Sequence, residues 1–164
     1  MKEIKDYLTY QGVQYRNPDK VGDEKDKMIA FRKKGQEARK RFTQIAKCFQ
    51  ERHSDWDLHP TSQWMNQAQR LRPHFWAYLQ REGQVSEPMM ALRIFGNPND
   101  FGISLEVSFI ERKKDEGTLS KQAKVLDVPV VEGIYYWVQK KDESYRVQAT
   151  EENRQLLRQQ LSNQ

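Results

Sequence analysis

Residues 25–52, KDKMIAFRKKGQEARKRFTQIAKCFQER, decide the fold. Apolar residues and one glycine recur in this segment at alternating steps of three and four: Met28, Phe31, Gly35, Ala38, Phe42, Ile45 and Phe49. This spacing is typical of a helix with a single apolar stripe that faces the core. Because Gly35 lies in the stripe and has no side chain, we expect another backbone segment to cross closely there.

The same segment carries the positive charge of the chain. It holds ten Lys and Arg against three acidic residues, a balance of +7, whereas the whole chain has 28 Lys and Arg against 23 acidic residues, or +5. Lys33, Lys40 and Lys47 recur every seven residues opposite the apolar stripe, with Arg32 and Arg41 beside them. Such residues also solvate ordinary amphipathic helices. Clustered cations along a rigid helix nevertheless suit polyanions, so we predict that these five bind an anionic partner, most plausibly nucleic acid.

The rest of the chain predicts an α+β fold. A short helix ends near Gly12. A helix predicted at 61–71 either kinks at Pro73 or is followed by a new helix at 73–83, which makes residues 1–83 mainly helical. Period-two apolar patterns predict antiparallel strands within 88–149, and an acidic first turn predicts a helix at 150–162. We therefore expect one domain, residues 1–164. In it, N-terminal helices pack on one face of a C-terminal antiparallel sheet of about four strands, with a C-terminal helix.

Composition excludes several classes of protein. No apolar run exceeds five residues, a length reached at 75–79 and 134–138, and residues 1–6 lack the apolar stretch of a signal peptide. We therefore expect neither a membrane span nor export. The single cysteine, Cys48, cannot form an intrachain disulfide, which suits a reducing compartment. We therefore expect a cytoplasmic protein.

Glu111 and Lys113 favour an alternative, a metal-dependent hydrolase. Their E-x-K spacing resembles half of the PD-(D/E)xK nuclease signature, in which acids bind a divalent metal and the lysine positions water. In an unbroken strand the upstream acid Asp100 lies about 36 Å from Glu111, too far to share one ion. We therefore favour a solvated strand end as the explanation of the motif.

A second metal candidate lies directly after the long helix. His53, Asp55, Asp57 and His59 alternate with other residues, so an extended conformation would project four donors to one side and could hold a divalent metal. Such residues more often cap helices or face water, so we favour no metal and no cofactor.

Three consecutive aromatic residues, Tyr135, Tyr136 and Trp137, place rings on both faces of a predicted strand. At least one ring must find cover outside the helix layer. We expect such a ring to pack in the core or at a subunit interface, as in a homodimeric interaction module. An exposed ring beside cations could instead stack bases.

Two stretches resemble a known group of proteins. Residues 72–79, RPHFWAYL, and 101–113, FGISLEVSFIERK, are similar to a family of small uncharacterised bacterial proteins, some labelled glucose-6-phosphate 1-dehydrogenase. Such a dehydrogenase needs a nucleotide-binding βαβ unit and a sugar-phosphate domain. The chain has no G-x-G-x-x-G loop and is too short for both, so we do not expect that activity and lean towards a protein without catalysis.

Overall fold

The computed structural model describes residues 1–10, 12–72, 75–81, 88–108, 117–140 and 143–162. Contacts between residues divide the chain into two compact units. One holds Met1–Val85 and Met89–Val107, and the other holds Ser86–Pro88 and Ser108–Gln164. The expectation that residues 1–164 form one domain stays a prediction.

The first unit begins with helices. Helix α1 spans Lys2–Leu8, two 3₁₀ turns follow at Pro18–Lys20 and Gly22–Glu24, and helix α2 spans Lys25–Glu51. The predicted long helix is thus confirmed. Its buried residues are Met28, Phe31, Gly35, Ala38, Phe42 and Ala46. Towards the C-terminal end Ala46 takes the central place in the stripe, and Ile45 and Phe49 are only partly buried.

A four-stranded antiparallel sheet completes the first unit. Its strands are β1 (Asp57–Leu58), β2 (Trp76–Gln80), β3 (Met89–Asn97) and β4 (Asp100–Ser108), in that spatial order. In the β2–β3 register Ala77 lies opposite Leu92 and Leu79 opposite Met90, so these four side chains share a face. Ala77, Leu79 and Leu92 join Phe31 and Phe42 of α2 in one hydrophobic core.

The prediction of helices at 61–71 and 73–83 was wrong. Between Thr61 and Arg72 the chain forms turns and isolated bridges, such as Met65 with Leu71. Residues 76–80 are strand β2, because Phe75, Ala77 and Leu79 are fully buried at alternate positions. This period of two fits a sheet with one covered face and not a helix. Residues 73–74 and 82–83 lie outside the described part of the chain.

The α+β class, the antiparallel sheet of four strands and the C-terminal helix are confirmed. The origin of the strands differs from the prediction, since β1 and β2 precede residue 88 and come from a region expected to be helical. Among the described residues, the later strands β5 (Tyr135–Lys140) and β6 (Glu143–Gln148) form a separate two-stranded sheet.

The second unit contains that hairpin and short helices. Helix α3 spans Thr118–Ala123, a 3₁₀ turn follows at Lys124–Asp127, and helix α4 spans Glu151–Ser162. The Thr150 hydroxyl accepts a hydrogen bond from the Asn153 backbone N–H at 3.1 Å, which caps α4 at its start. In the described ranges, none of the helices combines the length and apolar character that crossing a bilayer requires.

Candidate functional site

The outward face of α2 carries the cations that the sequence singled out. Successive helical residues turn by about 100°, so a seven-residue step returns to within about 20° of the same direction. Lys33, Lys40 and Lys47 therefore form one row, on the opposite side of the helix from Phe31 and Phe42. All five predicted contact residues are exposed: Arg32, Lys33, Lys40, Arg41 and Lys47.

Part of this face forms one wall of a groove of about 480 Å³. Six of its lining residues come from α2 and two from the segment after β1: Gln36, Arg39, Lys40, Thr43, Gln44, Lys47, Gln63 and Trp64. The helical residues recur at alternating steps of three and one, the spacing of a single strip along a helix. The groove thus follows the axis of α2.

The second wall is held against α2 by hydrogen bonds from the helix. The Arg39 guanidinium donates from Nη2 to the Thr61 carbonyl at 2.8 Å and from Nε to the Ser62 carbonyl at 3.0 Å. The Thr43 and Thr61 hydroxyl oxygens lie 2.8 Å apart and share a hydrogen bond. These contacts fix the backbone just before Gln63 and Trp64, so the groove is preformed.

The groove is positive because its cations are not neutralised. Its lining contains Arg39, Lys40 and Lys47 and no acidic residue. Over the described ranges, Lys40 and Lys47 have no carboxylate oxygen within 4.0 Å, whereas Lys33 lies 4.0 Å from Glu37. The bonds of Arg39 go to neutral carbonyls, which leave its charge in place. An anion in the groove would meet three cations, with amide and hydroxyl donors around them.

The structure therefore separates the five predicted contacts. Lys40 and Lys47 line the groove. Arg32 and Lys33 are exposed on the same helix, about two turns before Lys40. Arg41 lies about 100° around the helix from Lys40, where its Nη1 is 3.4 Å from the Gln44 side-chain oxygen.

Sequence reasoning missed six lining residues. Gln36, Arg39, Thr43 and Gln44 could have been found, because they share the helical strip with Lys40 and Lys47. Gln63 and Trp64 carried no such signal, since their place beside α2 depends on tertiary contacts. The predicted close crossing at Gly35 does occur, but the group that fills the space is the Trp64 indole and not a backbone.

The alternative metal site, a metal comb of His53, Asp55, Asp57 and His59 along an extended chain, does not form, and the first reason is local. The backbone N–H of Trp56 donates to the His53 carbonyl at 3.1 Å, so residues 53–56 make a turn and not an extended strand. The Asp55 carboxylate accepts a hydrogen bond from Arg81 at 3.0 Å. The His53 ring lies with its centroid 4.6 Å from that of Phe49.

The other two members of the comb contact strand β2. Asp57 is paired with Gln80 in the β1–β2 register, and the His59 Nε2 atom lies 3.1 Å from the Gln80 side-chain oxygen. In the described part of the chain, no three His, Cys, Asp or Glu residues are grouped so that they could hold a metal ion. Glu111 and Lys113 lie outside the described residues, so the E-x-K motif stays a prediction.

Comparison of the chain with known family models, with curated proteins and with solved structures gives no match in any of the three. The resemblance to small bacterial proteins therefore also stays a prediction. The groove along α2 is therefore the feature of the chain that points to a function.

Proposed function

We propose that this chain binds nucleic acid through the groove along α2, with Lys40 and Lys47 contacting phosphates. The observation that carries the proposal is a preformed groove with three cations and no acidic residue in its lining. Each cation that neutralises a phosphate releases condensed counterions, and this release is the main driving force for sequence-independent binding.

The dimensions of the positive face suit a phosphate backbone. At a rise of about 1.5 Å per residue, Lys40 and Lys47 are separated by about 10 Å along the helix axis. The distance from Arg32 to Lys47 is about 22 Å, or roughly six base-pair steps at 3.4 Å each. The exposed row thus extends the contact beyond the groove.

The neutral lining residues add hydrogen-bond donors. The side chains of Gln36, Gln44 and Gln63 each offer an N–H₂ group, and Thr43 offers a hydroxyl. Donors of this kind contact phosphate and sugar oxygens in protein–nucleic acid interfaces and position the chain without reading sequence. We therefore expect weak dependence of affinity on base sequence.

The packing of α2 favours nucleic acid over an anionic lipid surface. A basic amphipathic helix binds membranes by inserting its apolar side into the headgroup region. In this chain that side is occupied, since the core fully buries Phe31 and Phe42. Only the charged side of α2 is available to a partner, so the attraction is electrostatic.

Fluorescence anisotropy of a labelled duplex, titrated with the protein between about 50 and 200 mM salt, tests the proposal. With two to four phosphates neutralised, the slope of log affinity against log salt should lie between about −2 and −4. No binding at the lowest salt, or an affinity independent of salt, would overturn the proposal.

A further inference from the structure

The β5–β6 hairpin of the second unit presents an exposed aromatic face. Tyr135 and Trp137 are 59% and 64% exposed, the highest values among the described large apolar residues of the chain. Alternate residues of a strand point to the same side, so both rings lie on one face. The opposite face carries Tyr136, Val138 and Val147, which are partly buried.

An arginine completes the exposed face. Arg146 lies directly opposite Trp137 in the β5–β6 register, and its guanidinium carbon is 6.0 Å from the centroid of the Tyr135 ring. Gln148 lies opposite Tyr135 on the same face. Among described residues, Arg146 has no carboxylate oxygen within 4.0 Å, so its charge is free to attract an anion.

We propose that this hairpin face, formed by Tyr135, Trp137, Arg146 and Gln148, binds single-stranded nucleic acid. Rings at positions i and i+2 of a strand are about 7 Å apart, which places two stacking surfaces side by side, and the Arg146 guanidinium lies beside them on the neighbouring strand. Unpaired bases stack on aromatic rings whatever their sequence, and Arg146 supplies the positive charge for the linking phosphate. Gln148 adds a neutral hydrogen-bond donor at the edge.

The hairpin face belongs to a different unit from the groove and would bind by base stacking and not by charge alone. The groove attracts phosphates of either duplex or single strand by charge, whereas the hairpin needs bases that are free to unstack. A duplex offers no such bases away from its ends. The two proposals therefore fail independently.

A second copy of the chain fits this face less well. Two strands of six residues, about 20 Å long and 4.8 Å apart, present roughly 200 Å², against about 800 Å² per partner in stable interfaces. A two-fold contact centred on the face would also bring two Arg146 guanidinium groups together. Charge complementarity therefore favours a nucleic-acid strand.

The test measures affinity for an oligothymidylate and for a duplex, using Tyr135→Ala and Trp137→Ala. Each variant should bind oligothymidylate about 5 to 150 times more weakly, the range for losing one stacked base, while duplex affinity stays within about twofold. Trp137→Phe keeps an aromatic ring and should recover most of the loss, so a folding defect is distinguished from lost stacking.

Tyr145→Ala is the matched control, because Tyr145 is 42% exposed on the same hairpin but points to the other face. It should leave oligothymidylate affinity unchanged. Wild-type affinity in Tyr135→Ala and Trp137→Ala would overturn the proposal. Sedimentation that shows a wild-type dimer and a monomeric Trp137→Ala variant, with equal oligothymidylate affinities, would also overturn it and assign the face to self-association.

Discussion

A methyl group added to Gly35 would lie 2.5 Å from Cε3 of the Trp64 indole. Trp64 is 7% exposed and packs edge-on against Phe31 and Tyr15, with ring centroids 5.6 Å apart in both pairs. The ring that occupies the space beside Gly35 also lines the groove. Core packing at this glycine therefore sets the position of one groove wall.

Gly35→Ala should destabilise the first unit. Alanine favours the helix by about 1 kcal/mol over glycine, but the overlap with Trp64 costs about 1–3 kcal/mol because neighbouring rings restrict its movement. We expect a net loss of about 1 kcal/mol in the free energy of unfolding, measured by urea titration. The adjacent exposed substitution Gln36→Ala is the control and should change stability by less than about 0.5 kcal/mol. A Gly35→Ala variant more stable than the wild type would contradict the packing argument.

Arg39→Lys should also destabilise this unit, although the charge is kept. The guanidinium donates to two carbonyls, at Thr61 and Ser62, and a lysine ammonium cannot reproduce this planar pair of bonds. We expect a loss of about 1–2 kcal/mol in the free energy of unfolding. Arg32→Lys, an exposed change on the same helix, should have little effect. Equal stability of the two variants would show that the two guanidinium hydrogen bonds do not hold the groove wall.

The fold was predictable where the pattern was local. Helix α2 followed from a spacing of three and four that runs from Met28 to Phe49, within a helix of 27 residues. Residues 61–81 were mispredicted because Trp64, Ala68 and Leu71 also have helical spacing and Pro73 can begin a helix. What decides this region is the pairing of Ala77 with Leu92, which lies in a part of the chain 15 residues away.

The candidate site, too, was predictable only where the sequence pattern was local. The cations of α2 could be predicted, since they share a helix and its period. The second groove wall could not, because Thr61 and Ser62 are held against α2 by hydrogen bonds with Arg39 and Thr43, which lie 18 to 23 residues earlier in the chain. The metal comb failed because a backbone turn at residues 53–56 replaced the extended conformation on which it depended.

Tyr7 should make the free energy of unfolding depend on pH in the alkaline range. Its hydroxyl donates towards the carbonyl oxygens of Trp64 and Arg72, at 2.6 and 2.8 Å, and burial raises its pKa well above the ordinary value of about 10. The folded state holds this proton more tightly than the unfolded state. The contribution of Tyr7 to the free energy of unfolding should therefore be fully present below a pH of about 10 and decrease as the pH rises above it. The slope reaches at most about 1.4 kcal/mol per pH unit for one proton.

Tyr7→Phe removes the titrating group. The variant should lose about 1–3 kcal/mol at neutral pH, because the Arg72 carbonyl loses the Tyr7 donor and the Trp64 carbonyl keeps the Arg72 backbone N–H but loses the hydroxyl. Its stability should fall less steeply above pH of about 10. Urea unfolding at neutral and alkaline pH measures both effects. An alkaline slope equal to that of the wild type would show that Tyr7 is not the group responsible.

Salt dependence of duplex binding in two charge-matched double variants tests the central claim most directly. Lys40→Gln with Lys47→Gln and Lys2→Gln with Lys5→Gln both lower the formal charge of +5 by two, but only the first pair lies in the groove. If α2 is the binding surface, the groove pair should make the salt slope shallower by about 2, and the α1 pair should leave it nearly unchanged. Equal changes in both variants would show that binding follows net charge alone and would contradict the account.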